Sequence, residues 1–168
     1  MRNFPLFIAT ALLLAACQNQ DNTNSTTAET TAEPTQEISE KGYDEQLALE
    51  VGADEYGMKS YVMAFLKRGP NRDRSPEEAQ ALQRAHLDNM DNMVKDGKLV
   101  MAGPFLDDGE LRGIYVFNVA TIEEAQALTE TDPAIQAGSL VMELHPWYGS
   151  AALVKMVDMH ARVAKKEI

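Results

Sequence analysis

Two helix-start signatures alternate with four apolar segments, and this alternation constrains the fold of the chain more than any other feature. Residues 75–78 (Ser-Pro-Glu-Glu) and 121–124 (Thr-Ile-Glu-Glu) each place a hydroxyl three residues before a glutamate, which is the spacing of a helix capping box. The apolar segments are bounded by Gly, Pro and Asp turns and read as strands; they span residues 58–67, 99–106, 111–119 and 140–147. The pattern predicts the element order βαββαβ with short connections.

This element order predicts an α+β fold of the ferredoxin-like type. In that arrangement both long helices cover one face of a four-stranded antiparallel sheet. The first helix should run over residues 75–96 and end at Gly97, and the second should run over residues 121–129.

The predicted strands are apolar on both faces. In the first strand Tyr61, Met63 and Phe65 point to one side, and Val62, Ala64 and Leu66 point to the other. An antiparallel sheet with one wet face should instead alternate apolar and polar residues. The second face therefore needs a cover, and we expect the same sheet of a second copy, in a symmetric homodimer. The alternative is that the C-terminal helix, predicted over residues 151–164, folds back over this face.

The first 17 residues have the pattern of a secretory signal. Arg2 precedes an apolar run that is too short for a comfortable transmembrane helix, and small residues then lead to Cys17. Residues 14–17 (Leu-Ala-Ala-Cys) resemble the bacterial lipobox, which implies a signal peptide over 1–16 and a lipidated Cys17 held in a lipid bilayer. The alternative is an ordinary cleaved signal with an incidental cysteine. Because Gln18 is not an acidic retention residue, the likeness favours the outer membrane of the cell envelope, facing the periplasm.

Composition divides the rest of the chain. Residues 17–40 are rich in Asn, Thr, Glu and Ser and predict a disordered tether behind the anchor. The globular pattern begins after it; its parts are a short extension over 41–57, a domain over 58–148 and a C-terminal helix within 149–168. With 168 residues the chain has room for one ordinary domain.

Charge and cysteine content exclude several classes of function. The net charge of −11 argues against a nucleic-acid partner, because binding a phosphate backbone needs clustered Lys and Arg. One cysteine excludes an internal disulfide framework and a Cys-rich zinc site. These features leave a small acidic domain that binds or transforms a small-molecule ligand.

His86 and Asp132 are the candidate catalytic residues. His86 lies on the apolar stripe of the first helix, with Leu82 and Met90, where an imidazole needs a partner. It reads either as a core histidine satisfied by a backbone carbonyl or as a general acid or base. Asp132 precedes Pro133 and reads either as a helix N-cap or as the carboxylate that orients His86. Sequence spacing cannot show that the two side chains meet.

Other candidates are weaker. His145 and Trp147 end the last strand, where they could line the mouth of a substrate pocket or simply pack at its edge. The three histidines lack the i, i+4 pairing of common zinc helices, so we expect no metal site. No glycine-rich phosphate loop or nucleophile elbow is present, and we expect no bound cofactor.

The residues from 58 to 147 resemble the YCII-related (YciI-like) domain family. The likeness lies in the order and spacing of several segments: YVMAFLK, RAHLDNM around His86, KLVMAGPF, GIYVF, TDPAIQAG around Asp132, and ELHPW. It implies a dimeric α+β barrel of ferredoxin-like subunits, with the family's histidine and aspartate falling on His86 and Asp132. One member of the family is a cofactor-free dehydrochlorinase that uses such a pair for acid–base chemistry.

Together these features predict a lipid-anchored cell-envelope enzyme of the lyase or hydrolase type that acts on a small organic molecule. His86 would move a proton and Asp132 would orient its ring. A non-catalytic small-molecule-binding module and a purely structural envelope protein are the two alternatives.

Overall fold

The computed structural model of the chain describes residues 42–166. The predicted signal peptide over 1–16, the lipidated Cys17 and the tether over 17–40 lie outside the described residues. Among the helices of the described part, none combines the length and the apolar character needed to cross a membrane.

The described residues form a four-stranded antiparallel sheet, and the helices that follow the first and third strands pack on one of its faces. The elements in chain order are α1 Glu45–Val51, β1 Met58–Arg68, α2 Pro76–Lys95, β2 Leu99–Pro104, β3 Leu111–Phe117, α3 Ile122–Thr129, α4 Pro133–Gln136, β4 Leu140–Ser150, a 3₁₀ turn Ala151–Lys155 and α5 Met156–Val163. The strand order across the sheet is β2-β3-β1-β4, with every neighbouring pair antiparallel. The predicted βαββαβ order and the ferredoxin-like α+β fold are confirmed.

Both predicted capping boxes form. The Ser75 hydroxyl accepts the backbone N–H of Glu78 at 3.2 Å, and the Glu78 carboxylate accepts the N–H of Ser75 at 2.8 Å. Thr121 and Glu124 exchange the same two bonds, each at 3.2 Å. These reciprocal bonds satisfy backbone donors that have no partner inside a helix, so they fix where α2 and α3 begin.

The C-terminal segment differs from the single helix predicted over 151–164. Strand β4 continues to Ser150, and a 3₁₀ turn follows before α5 begins at Met156. Ala151 is buried and donates its N–H to the Gly57 carbonyl at 2.9 Å. This tertiary hydrogen bond keeps the start of the 3₁₀ turn next to the sheet, before α5 begins.

The two faces of the sheet are covered to different extents. On the helix face the core includes Val62, Ala64 and Phe117, packed against α2 and α3. On the second face a smaller cluster of buried side chains lies under Leu153 of the 3₁₀ turn and beside Trp147; its members are Tyr61, Val100 and Val116. The C-terminal segment thus covers part of this face, as the alternative prediction proposed.

The rest of the second face is open within one chain. Phe65 and Ile114 are half-buried, and Val141 is 46% exposed. The predicted homodimer would cover these residues and stays a prediction.

Candidate active site

Helix α2 carries His86 between the helix layer and the sheet. The next two turns of the same stripe place Met90 and Met93 in the core, and this packing fixes the side of α2 that faces the sheet. His86 is 7% exposed, so its ring is almost entirely surrounded by protein. A buried imidazole needs hydrogen-bond partners on its ring nitrogens.

Asp132 supplies the first partner. It is fully buried at the junction between α3 and α4, and its Oδ2 lies 2.7 Å from His86 Nδ1. Its Oδ1 accepts the backbone N–H of Ala134 at 2.8 Å and so caps α4. The cap and the histidine partner, which the sequence offered as alternatives, occur together because the carboxylate has two oxygens.

Tyr115 supplies the second partner, and sequence reasoning did not single it out. It lies on β3, is 2% exposed, and its hydroxyl is 3.2 Å from His86 Nε2. The two rings are nearly parallel, with centroids 6.2 Å apart. The signal for this residue was a tyrosine at a helix-facing position of an apolar strand, because a buried phenol usually finds a hydrogen-bond partner.

The electrostatics of Tyr115 keep its phenol protonated. Burial, and then the charge of Asp132, raises the pKa of the Tyr115 phenol well above its usual value. A carboxylate on Nδ1 selects the tautomer of a neutral imidazole that carries its hydrogen on Nδ1. In that tautomer His86 donates a hydrogen bond from Nδ1 to Asp132, and the Tyr115 hydroxyl donates a hydrogen bond to Nε2.

Asn89 supports the segment that carries Asp132. It lies almost one turn after His86 on α2, and its side-chain amide donates to Thr131 Oγ1 at 2.9 Å. A second, longer bond from the same nitrogen reaches the Thr131 carbonyl at 3.3 Å. These contacts hold the residue before Asp132 against α2, so Asn89 acts as a positioning residue.

His145 and Trp147 lie on the other face of the sheet. In the register between β1 and β4, His145 pairs with Met63 and Trp147 pairs with Tyr61, and both of those strand positions point away from α2. His145 Nε2 lies 2.9 Å from a Glu143 carboxylate oxygen. The structure therefore does not bring these two residues to His86 within one chain, and a pocket shared by all four residues is not formed there.

The donor set of the site suits proton transfer. A neutral imidazole between a carboxylate and a phenol can take up a proton at Nε2, because the carboxylate stabilises the imidazolium that results. Within residues 42–166, no three His, Cys, Asp or Glu side chains come close enough together to hold a metal ion.

Comparisons with known proteins place the described domain in a family. The family model of the YCII-related domain matches residues 61–148, a range that contains His86, Tyr115 and Asp132. Among solved structures, a 5-chloro-2-hydroxyhydroquinone dehydrochlorinase from Burkholderia phenoliruptrix, in complex with 2,5-dihydroxybenzoquinone, is similar at 18% identity and a TM-score of 0.40. That match covers 51% of this chain and 92% of the other. No curated protein matches the chain significantly.

Proposed function

The chain belongs to the YCII-related domain family, and on that premise we propose that it is an enzyme that uses His86 as a general acid and base on a small organic molecule. The observation that carries this proposal is the hydrogen-bonded series Asp132–His86–Tyr115, which joins three elements at distances of 2.7 and 3.2 Å. The reaction class is proton abstraction followed by loss of a leaving group, or general-base hydrolysis.

Each of the three side chains has a role in this reaction. His86 Nε2 takes a proton from the substrate, and Asp132 stabilises the imidazolium and keeps the ring in place. The Tyr115 hydroxyl, released from Nε2 at that moment, can donate its hydrogen bond to an oxyanion or to the leaving group. The proton then returns from Nε2 to the departing group or to solvent, which restores the neutral ring.

The first test is turnover by the wild-type chain and by site variants. The substrates are small molecules with an acidic O–H or C–H next to a leaving group, including chlorinated hydroquinones, and the measurement is halide or proton release. We expect His86→Gln and Asp132→Asn to lower kcat by about a hundred- to ten-thousand-fold. His160→Gln is the matched control, because His160 is exposed on α5. Equal turnover by His86→Gln and wild type would contradict the assignment.

A binding module without catalysis is the second candidate. It is favoured by one observation: both ring nitrogens of His86 already have protein partners, as they would in a structural core histidine. In this case a ligand would bind and be recovered unchanged. His86→Gln would then alter affinity or stability, with no turnover to lose.

The cellular location remains part of the proposal. The lipobox-like residues 14–17 support an anchor at Cys17 in the cell envelope, with the outer membrane as the favoured site. Cys17→Ser should move the protein from the membrane fraction to the soluble fraction. A Cys17→Ser protein that stayed wholly with membranes would contradict the anchor.

A further inference from the structure

A groove of about 670 Å³ opens beside the first turns of α2. One wall is formed by residues 70–74, in the loop that connects β1 to α2, and Leu82 of α2 lies at its side. Nothing in the acid–base chemistry proposed above uses these residues.

Close backbone approach builds this connecting loop. Gly69 donates its N–H to the Ser139 carbonyl at 2.9 Å, and Asn71 donates to the Gly138 carbonyl at 3.0 Å. A Cβ at Gly69 would lie 2.3 Å from the Gly138 oxygen, so no side chain fits there without a shift of backbone. The loop is therefore held in one position against the turn between α4 and β4.

Two guanidinium groups are fixed on this loop. Arg72 donates to the Ser139 carbonyl at 3.1 Å, and Arg74 donates to the Ala137 carbonyl at 2.6 Å and to the Asn71 carbonyl. Backbone carbonyls satisfy a few of the five N–H donors of each group and leave its charge uncompensated. Within residues 42–166 neither group forms an ion pair, whereas Arg68 and Arg112 both pair with Asp108.

Two carboxylates also face the groove. Glu78 is committed to the capping box, where it accepts the N–H of Ser75. Asp73 lies between the two arginines in the loop and forms no ion pair within the described part of the chain. With two positive and two negative groups nearby, the groove suits a monoanion better than a dianion such as phosphate.

The groove and the His86 site lie along the same pair of helices. Leu82 precedes His86 by one turn of α2, a rise of about 6 Å. Asp132, at the start of α4, holds His86, and Ala137, at the end of α4, holds Arg74. Leu82 is therefore the residue of the groove that lies nearest to His86 along α2.

We propose that this groove binds the carboxylate of a small organic acid through Arg72 and Arg74, with the apolar body of the ligand on Leu82. The planar guanidinium matches a carboxylate in geometry as well as in charge. That this acid is also the substrate of His86 rests on the proposed function; binding in the groove does not.

The test is an NMR titration of the full chain with benzoate, with benzyl alcohol as its uncharged analogue. Benzoate should shift the amide signals of residues 71–74 and Leu82 and bind at least about tenfold more tightly than benzyl alcohol. Arg72→Gln and Arg74→Gln should each weaken benzoate about tenfold, and Asp73→Asn should tighten it. Arg112→Gln removes the same charge from β3, outside the residues that line the groove, and should leave the affinity unchanged.

Three results would overturn the inference: equal affinity for the alcohol, equal weakening by Arg112→Gln, or tighter binding of inorganic phosphate than of benzoate. Weaker binding by Arg74→Gln could also arise if the substitution only made the loop less ordered. The tighter benzoate binding expected for Asp73→Asn separates the two explanations, because a less ordered loop would not bind benzoate more tightly. Benzoate binding with no turnover of any acid would contradict the acid as substrate of His86 and leave the binding role of the groove in place. The opposite result is an acid that His86 turns over with a KM that is unchanged in the Arg72 and Arg74 variants. It would contradict the binding role of the groove and leave the enzymatic proposal in place.

Discussion

One carboxylate oxygen of Asp132 accepts a hydrogen bond from the N–H of Ala134, and the other is hydrogen-bonded to the imidazole of His86. The first bond is readable from the sequence, because an aspartate before a proline has the local pattern of a helix N-cap. The second joins residues 46 positions apart and depends on how α2 packs on α4. Local patterns therefore indicated the helix cap at Asp132 and the apolar stripe that carries His86, but they could not show that the two side chains meet.

Tyr115 makes the stability of the chain sensitive to alkaline pH. The pKa of its phenol is raised in the folded state, whereas in the unfolded chain it returns to its ordinary value of 10.0. Above about pH 10 the unfolded state loses this proton and the folded state keeps it, so the free energy of unfolding falls as pH rises. We expect Tyr115→Phe to reduce this alkaline loss and to cost about 1 kcal/mol at neutral pH through the lost hydrogen bond.

Urea unfolding between pH 7 and 11 measures this effect. The matched control is Tyr56→Phe, because Tyr56 is 77% exposed. If the free energy of unfolding falls with rising pH as steeply in Tyr115→Phe as in the wild type, Tyr115 ionises while the chain is folded and the prediction is wrong.

At the scale of elements, local signals set most boundaries. The capping boxes at Ser75 and Thr121 start α2 and α3 where the sequence predicts. The longer β4 was not predictable in the same way, because its last residues are set by tertiary contacts. The Ala151 N–H, for example, donates to the Gly57 carbonyl at 2.9 Å directly after the strand.

The register of β4 decides which candidate residues share a site. His145 and Trp147 pair with residues of β1 that point away from the helices, so they lie opposite His86. The sequence of β4 carries this signal, because the apolar Leu140, Met142 and Leu144 alternate with positions that include Glu143 and His145, and the first set packs on the helix-face core.

The connection between α4 and β4 should be intolerant of a side chain at Gly138. This residue has a φ of +66°, and an added Cβ would lie 2.5 Å from Asn71 Nδ2. We expect Gly138→Ala to lower the free energy of unfolding by about 1–3 kcal/mol. Gly103→Ala is the control, because a Cβ there meets nothing within 4 Å. Equal thermal melting of the two variants would contradict the tight packing of the connecting loop.

At the scale of the whole molecule, the second face of the sheet explains the predicted homodimer. The C-terminal 3₁₀ turn covers the end of this face near Tyr61, and the end that holds Phe65 and Val141 stays exposed within one chain. Apolar side chains on an open sheet face favour association with another surface. Assembly of two copies through this face would give the dimeric barrel that the family resemblance implies.

Sedimentation analysis tests this assembly. We expect a dimer for the wild type and a shift toward monomer for Val141→Lys, because a lysine on a sheet face covered by a second copy would lose its hydration. Val163→Lys is the control, since Val163 is 74% exposed on α5. A monodisperse wild-type monomer would remove the dimer proposal and leave the fold and the His86 site unchanged.

The central claim is that a small molecule can reach the imidazole that Asp132 and Tyr115 hold. Carbethoxylation of the native protein by diethyl pyrocarbonate, mapped by mass spectrometry, tests it without a known substrate. His160 on α5 serves as the internal reference, because it is exposed and lies outside the sheet face that a second copy would cover. We predict that His86 is modified in the folded chain, more slowly than His160 and faster in Tyr115→Phe, where Nε2 is released. Reaction of His86 only after the chain unfolds, while His160 reacts fully in the folded chain, would identify His86 as a sealed core histidine and contradict this prediction.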